Sequence, residues 1–428
     1  MNLPLHWRML IALAAAVAVG SLFGDSALLL KTCSMIGSLF LNALKMLIVP
    51  LILAAIINGL IGGAEQGGLG RLGALTFGFY VGTGLLAILT GLAWANWLTP
   101  GIVNGVPAAP LLGLSSDANA VIAQVQEKGA QDLWGVIVRL VPTNPVEAAA
   151  KGDMLGLVTF GLLFGWALSQ LPSGLRDTHA AFWKGVYEAM IRITALVMKA
   201  APLGVFAIVT GTVAKTGIAA LQPLAVFMAA VVLGLLTHAF IVLPLVLKLV
   251  ARVPAYALHR VMAPALLTAF STSSSNATLP LTMDCIENKA KVPRRVSGFV
   301  LPIGANVNTD GSALYECVAA IFIAQAYGLN LSFGAQFTIV ALSLITAVGV
   351  AGIPSASLVA IAVILSAIGL PLEGVGLILA VDRVLDMCRT ALNVLGDSSA
   401  TVVVARLSGE DGVLGQPALK SGSQGGPA

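Results

Sequence analysis

The chain has 428 residues, 58% of them hydrophobic and 10% charged, with a net charge of +4. A mean hydropathy of +0.95 excludes a water-exposed globular surface, which carries roughly a quarter charged residues. No basic and aromatic cluster suggests nucleic acid, and Cys33, Cys285, Cys317 and Cys388 form no C-x-x-C pair, which argues against a zinc site or disulfide framework and leaves buried free thiols.

In chain order, spans are expected near 8–30, 35–63, 73–98, 134–171, 180–214, 220–250, 258–290, 295–327, 333–369 and 372–406. Met9–Leu22, Met35–Ile61, Ala74–Leu98 and Ala225–Val250 approach or exceed the roughly 20 helical residues that a bilayer core requires. The start, Met1–Arg8 and the alanine-rich run behind it, could pass for a signal peptide. A first transmembrane helix is the better reading, because the rest of the chain also belongs in a lipid bilayer. Pro50 reads as a helix kink. Thr99–Asp132 reads as a loop and the tail 408–428 as disordered, both being rich in glycine or proline. His6, His179, His238 and His259 do not cluster and read as interfacial or packing histidines.

Lys248, Arg252, Arg260, Lys289, Lys291, Arg294 and Arg295 collect on one side of the later spans, whereas Tyr327–Phe333 and Gly369–Glu373 hold no lysine or arginine. The positive-inside rule makes the first group cytoplasmic. Val261–Glu287, between cytoplasmic flanks, is broken by the small polar run Ser271–Thr278. Irregular backbone cannot face lipid, so this stretch fits a re-entrant hairpin from the cytoplasm. Ala347–Leu370 repeats the pattern around Gly349–Ser357, with uncharged outer flanks. Each hairpin precedes an apolar segment with a polar interruption, Asn306–Ser312 and then Asp382–Asp397. A hairpin and a broken helix, twice and from opposite sides, make the inverted repeat typical of secondary transporters.

In the last span Asp382, Asp386, Arg389, Thr390, Asn393 and Asp397 recur mostly every three or four residues, within an arc of about 100°. Ionisable groups at membrane depth cost roughly 2.5–3.5 kcal/mol each, so such a stripe must face a polar cavity or itself. A helix-packing ion pair of Asp386 with Arg389 is the bland alternative, but it gives Thr390, Asn393 and Asp397 no purpose. A guanidinium grips a carboxylate through two parallel hydrogen bonds, and Asp386 one turn away suits an amine. Together they describe an acidic amino acid. Asn308-x-Asp310-Gly311 breaks a helix and frees carbonyls beside a carboxylate, the oxygen-rich setting that hard cations prefer. Glu316, on the helix that resumes, is either a proton carrier, since desolvation favours the neutral carboxyl, or a hydrogen-bonded structural residue.

These residues resemble the dicarboxylate/amino acid:cation symporters, which include glutamate and aspartate transporters. The likeness runs from about Leu10 to Arg406. Its specific parts are the serine-rich tip with Thr278-Leu279-Pro280, Asn308-x-Asp310-Gly311-Ser312-Ala313-Leu314-Tyr315, and Asp386-x-x-Arg389-Thr390-x-x-Asn393-x-x-Gly396-Asp397. Met46–Pro50 and Pro142–Pro145 add weaker support.

The resemblance implies an all-α polytopic membrane protein with eight transmembrane helices and two re-entrant helical hairpins in inverted repeats. It implies a homotrimer, multi-pass in the cell membrane with both termini cytoplasmic, whose transport domain slides like an elevator against a scaffold. The implied division is 1–72 first scaffold helices, 73–98 third helix of the transport domain, 99–250 scaffold and linking helices, 258–406 transport core, and 408–428 tail. Arg389 would take the substrate's side-chain carboxylate and Asp386 its amine. Asn393, Thr390 and Ser275 would hold the main-chain carboxylate and neighbouring atoms, with Ser274, Ser312, Ile353 and Ser357 completing the substrate set. Gly304, Asn308, Asn393 and Asp397 resemble one sodium site, and Tyr80, Thr83, Asn308 and Asp310 another.

Glu316 matches relatives that co-transport a proton. Three departures stand out: Thr309 replaces the usual methionine, Gly84 a serine or threonine, and Ser273 and Met387 an arginine kept at one or other place. The implied activity is uptake of L-aspartate or L-glutamate with sodium, with a proton as a second coupling ion left open, and without a resident cofactor. Proton-coupled, dicarboxylate or neutral-amino-acid carriage and an ion channel are the alternatives. A hydrolase is disfavoured, since the serines have no histidine at compatible spacing.

Overall fold

Long apolar segments satisfy their backbone internally, and helices dominate the architecture. The computed structural model describes residues 5–65, 71–112, 114, 141–151, 154–217, 219, 221–329, 331–349 and 356–417. The helices are α1 (Leu5–Phe23), α2 (Ala27–Glu65), α3 (Arg71–Leu98), α4 (Pro145–Lys151), α5 (Met154–Ser169), α6 (Ser173–Lys199) and α7 (Ala201–Thr216). There follow α8 (Leu221–Ala251), α9 (Ala255–Thr272), α10 (Ser275–Asp284), α11 (Arg294–Val307), α12 (Asp310–Ala326), α13 (Phe333–Gly349), α14 (Ala356–Ile368) and α15 (Glu373–Leu407). Among the described residues, α3 and α8 are long and apolar enough to cross a membrane.

One element among the described residues departs from the all-helical expectation. Strands β1 (Ile102–Val103) and β2 (Val106–Pro107) pair antiparallel within the segment read as loop. Asn104 and Gly105 take φ of 51° and 79°, the left-handed pair that a two-residue hairpin turn demands.

Two packing groups follow the chain. α1 lies on α7, while α2 lies on α5, α6 and α7. The second group is built around α12, which is buried almost throughout and is packed by α3, α8, α13, α14 and α15. Gly91 lets α3 close on α12, since a Cβ there would stand 2.8 Å from Leu314 Cγ. Gln325 ties the end of α3, donating to the Ala95 carbonyl at 3.2 Å and accepting from the Gly101 amide at 3.2 Å. α8, within the stretch 99–250, packs on α3, α12 and α15.

Four further differences from the sequence reading have local causes. The span expected at 180–214 is two helices bent by 52° around Ala200, where Pro202 opens α7 and cannot continue the ladder of α6. The polar run 271–278 is mostly helical: the chain reverses at Ser273 (φ 51°), and Ser274 caps α10 by accepting from the Ala277 amide at 3.2 Å. α15 is unbroken through Asp382–Asp397, so a broken helix follows only the first hairpin; its polar groups all leave from one face and no proline interrupts them. Finally, residues 408–417 of the tail expected to be disordered dock on the fold. Val413 is buried, the Leu414 amide donates to the Ala290 carbonyl at 2.9 Å, and Arg406 donates to the carbonyls of Gln416 and Pro417. Gly349–Ser357 of the second hairpin lies outside the described residues between 350 and 355.

Candidate functional site

The break between α11 and α12 comes first. Asn308 and Thr309 leave helical geometry, and α12 restarts at Asp310. Asn308 donates from Nδ2 to Asp397 Oδ1 at 2.9 Å, joining the break to α15. Its own Oδ1 is buried without a hydrogen-bond partner. Thr83 of α3 donates to Asp310 Oδ1 at 3.3 Å, and His238 of α8 lies 3.3 Å from Asp310 Oδ2.

Glycines let these oxygens crowd. A Cβ at Gly304 would stand 2.6 Å from Asp397 Oδ1 and 2.6 Å from the Tyr80 hydroxyl. One at Gly396 would stand 2.8 Å from Asn308 Nδ2 and 3.1 Å from Asp310 Oδ2. Tyr80, Gly304, Asn308, Asp310 and Asp397 are thus one cluster, and Thr83 joins it. Asp310 and Asp397 are near enough for their charges to interact. No lysine or arginine pairs with either among the described residues.

One side chain links this cluster to the next station. Asn393 Oδ1 accepts from the Gly311 amide at 2.9 Å, satisfying a donor of the first turn of α12. A turn earlier on α15, Arg389 is 1% exposed and makes two contacts of 3.0 Å with Asp382 Oδ1 and one of 2.9 Å with Asp386 Oδ1. Its Cζ stands 3.8 Å from the Tyr315 ring centroid, a cation–π stack, and the Tyr315 hydroxyl donates to Asp382 at 2.9 Å. The ion pair weighed as the bland alternative is therefore present. Thr390 turns its hydroxyl back to the Asp386 carbonyl at 2.8 Å.

Glu316 lies two turns along α12, accepting from Thr346 of α13 at 3.0 Å, with Ser357 at the start of α14 near its carboxyl. Of the expected substrate residues, Asp386, Arg389, Thr390 and Asn393 share one buried stripe. Ser357 meets Glu316 instead. Ser274 serves as a helix cap, and Ser312 and Ser275 are half-buried near their helix starts. Ile353 lies outside the described residues.

A family model described as "Sodium:dicarboxylate symporter family" matches residues 5–407. The chain belongs to the sodium:dicarboxylate symporter family. Among curated relatives, the "Proton/glutamate-aspartate symporter" of Escherichia coli (strain K12) is 36% identical over 407 residues, covering 94% of this chain and 92% of that protein. The "Proton/sodium-glutamate symport protein" of Geobacillus stearothermophilus is 33% identical, covering 96% of each chain. "Excitatory amino acid transporter 3" of Mus musculus is 32% identical, covering 94% of this chain and 86% of that protein. This is a family of transporters, and the apolar helices of this symporter fit a multi-pass membrane protein.

Sequence reasoning about this family member missed two participants. His238, read as a packing residue, is fully buried against Asp310. Arg383 was passed over, yet its NH1 lies 3.2 Å from Asp386 Oδ2. A signal for His238 existed in Pro244, six residues on. Pro244 has no N–H for the Phe240 carbonyl, and the helix widens into a π-turn at His238–Val242. The Leu243 amide then reaches His238 instead of Ala239. α9 takes both freed carbonyls: His259 bonds that of Ala239 at 2.9 Å, and Tyr256 donates to that of Phe240 at 2.9 Å. Such turns concentrate at functional sites.

Proposed function

We propose that this symporter takes up acidic amino acids, L-aspartate or L-glutamate, coupled to sodium, with Glu316 carrying a proton. The observation behind this reading is the Asp310–Asp397 centre: two buried carboxylates whose described partners are hydroxyl, amide and imidazole. Buried carboxylates that pair with no lysine or arginine among the described residues suit a cationic ligand as counter-charge. Sodium, a hard cation that takes oxygen ligands, suits the oxygens of Tyr80, Thr83, Asn308, Asp310 and Asp397 and the backbone carbonyl of Gly304.

On the same face of α15, Arg389 suits a carboxylate and Asp386 an ammonium. The names of the bacterial relatives, proton/glutamate-aspartate and proton/sodium-glutamate symporters, support the substrate class and both coupling ions. Asn393 touches the backbone of the sodium-side break and shares a stripe with Arg389, so cation and substrate reinforce one another's binding.

The architecture proposed with this activity is a homotrimer of subunits with eight transmembrane helices and two re-entrant hairpins, both termini cytoplasmic. α3 and α8–α15 form the moving unit and α1, α2 and α4–α7 the scaffold, a division that follows the two packing groups. The test is uptake of labelled aspartate and glutamate into proteoliposomes, with sodium and pH gradients imposed separately. Uptake that responds to neither gradient would sink the coupling scheme, and saturable-substrate-independent ion conduction would favour a channel.

A further inference from the structure

Both oxygens of Asp386 are occupied, and by different guanidinium groups. Oδ1 accepts from Arg389 at 2.9 Å and Oδ2 from Arg383 at 3.2 Å. The two contacts differ in kind. Arg389 is fixed from three directions, by Asp382, by Asp386 and by the Tyr315 ring. Arg383 has one ion-pair contact, and its side chain is 13% exposed against 1% for Arg389. The exchangeable bond of the group is therefore the one between Arg383 and Asp386.

We propose that Arg383 occupies the place on Asp386 that the substrate's amine takes, and so sets how strongly the transporter prefers an α-amino dicarboxylate over the same acid without its amine. This rests on the acidic-amino-acid reading above. Asp382, Asp386, Arg383 and Arg389 carry two charges of each sign, so the group is neutral overall and none of its charges is left unpaired. An arriving ammonium takes Asp386 Oδ2 and releases Arg383, so one charge-assisted contact replaces another. A dicarboxylate lacking the amine offers Asp386 nothing, leaves Arg383 in place and keeps its positive charge near the bound anion. Arg383 thus tempers the gain from the amine and helps to hold the acid that lacks it.

Without Arg383 the group carries a net negative charge and Asp386 Oδ2 is free. The amine then gains a full charge-assisted hydrogen bond, while the doubly negative acid meets unrelieved repulsion.

The experiment uses the full-length transporter in proteoliposomes and measures inhibition of labelled aspartate uptake by unlabelled aspartate and by succinate. Arg383→Gln is expected to widen the succinate-to-aspartate ratio of inhibitory concentrations by roughly tenfold or more, the worth of one charge-assisted hydrogen bond. Arg383→Lys, which keeps the charge, is expected to hold the parental ratio within about threefold. If Arg383→Gln does not assemble, Arg383→Met supplies the same comparison. An unchanged ratio in the neutral variants, with the parent active, overturns this inference alone and makes Arg383 an ordinary helix ion pair. A parent that takes up no acidic amino acid overturns the proposed function, and this inference with it.

Discussion

His238 Nε2 lies 3.3 Å from Asp310 Oδ2, and neither side chain is more than 1% exposed. Thr83 takes the other oxygen of Asp310, so the carboxylate is held from α3 and α8 at once. A carboxylate held on both oxygens presents its remaining lone pairs in a set direction. His238→Ala is expected to raise the sodium concentration for half-maximal aspartate uptake by roughly ten- to hundredfold, the cost of a buried hydrogen bond to a charged group. His238→Gln, which keeps a donor at similar reach, should recover most of the loss. Sodium titration of initial uptake rates decides it, and equal sodium dependence in parent and His238→Ala would make His238 a packing residue after all.

Gly304→Ala probes the cation cluster without touching a ligand side chain. The new Cβ would lie 2.6 Å from both Asp397 Oδ1 and the Tyr80 hydroxyl, closer than such atoms approach, so one of the two must withdraw. Overpacking of this kind costs roughly 1–3 kcal/mol, and here it falls on the proposed sodium ligands. The expected result is sodium-driven uptake reduced at least tenfold, with assembly intact by size-exclusion chromatography. Full sodium affinity in this variant would place the cation elsewhere.

The stripe on α15 was legible in the sequence because the spacing of Asp382, Asp386, Arg389, Asn393 and Asp397 is a property of one helix. The break at Asn308–Asp310 was legible because asparagine and glycine stand where apolar flanks demand helix. Neither reading could supply the inter-helix pairings. His238 and Asp310 are 72 residues apart, and a π-turn set by Pro244 aims the imidazole. The polar density of 382–397 suggested a second broken helix, yet side chains satisfied on one face leave a helical backbone undisturbed. The tail's glycine-rich composition hid Val413 and Leu414, which pack beside Ala290.

Arg389 anchors two carboxylates and one aromatic ring. Arg389→Cys should abolish inhibition of uptake by glutamate and aspartate and shift preference toward neutral amino acids such as serine. The same change strands Asp382 beside Asp386, which carries a cost of roughly 3–5 kcal/mol when a buried pair loses one partner. Thermal stability should therefore drop together with the change in selectivity. Arg389→Lys keeps the charge but not the fork, and is expected to bind acidic substrates at least tenfold more weakly. Unaltered selectivity in Arg389→Cys would remove Arg389 from the substrate site.

Glu316 is enclosed by α12, α13 and the first turn of α14, with Thr346 donating to Oε2 at 3.0 Å and Ser357 nearby on the arm of the second hairpin. Glutamine at this position can still accept from Thr346 through its amide oxygen but cannot exchange a proton. If the carboxyl travels protonated with the substrate, uptake by the parent should rise as the outer solution is made more acidic than the interior. Glu316→Gln should lose that response while keeping sodium-dependent aspartate binding within roughly threefold, since the hydrogen bond from Thr346 survives. Uptake measured across imposed pH gradients at fixed sodium separates the two roles. A pH response that persists in the glutamine variant would make Glu316 a structural acceptor, and the proton would have to be carried by another group or not at all.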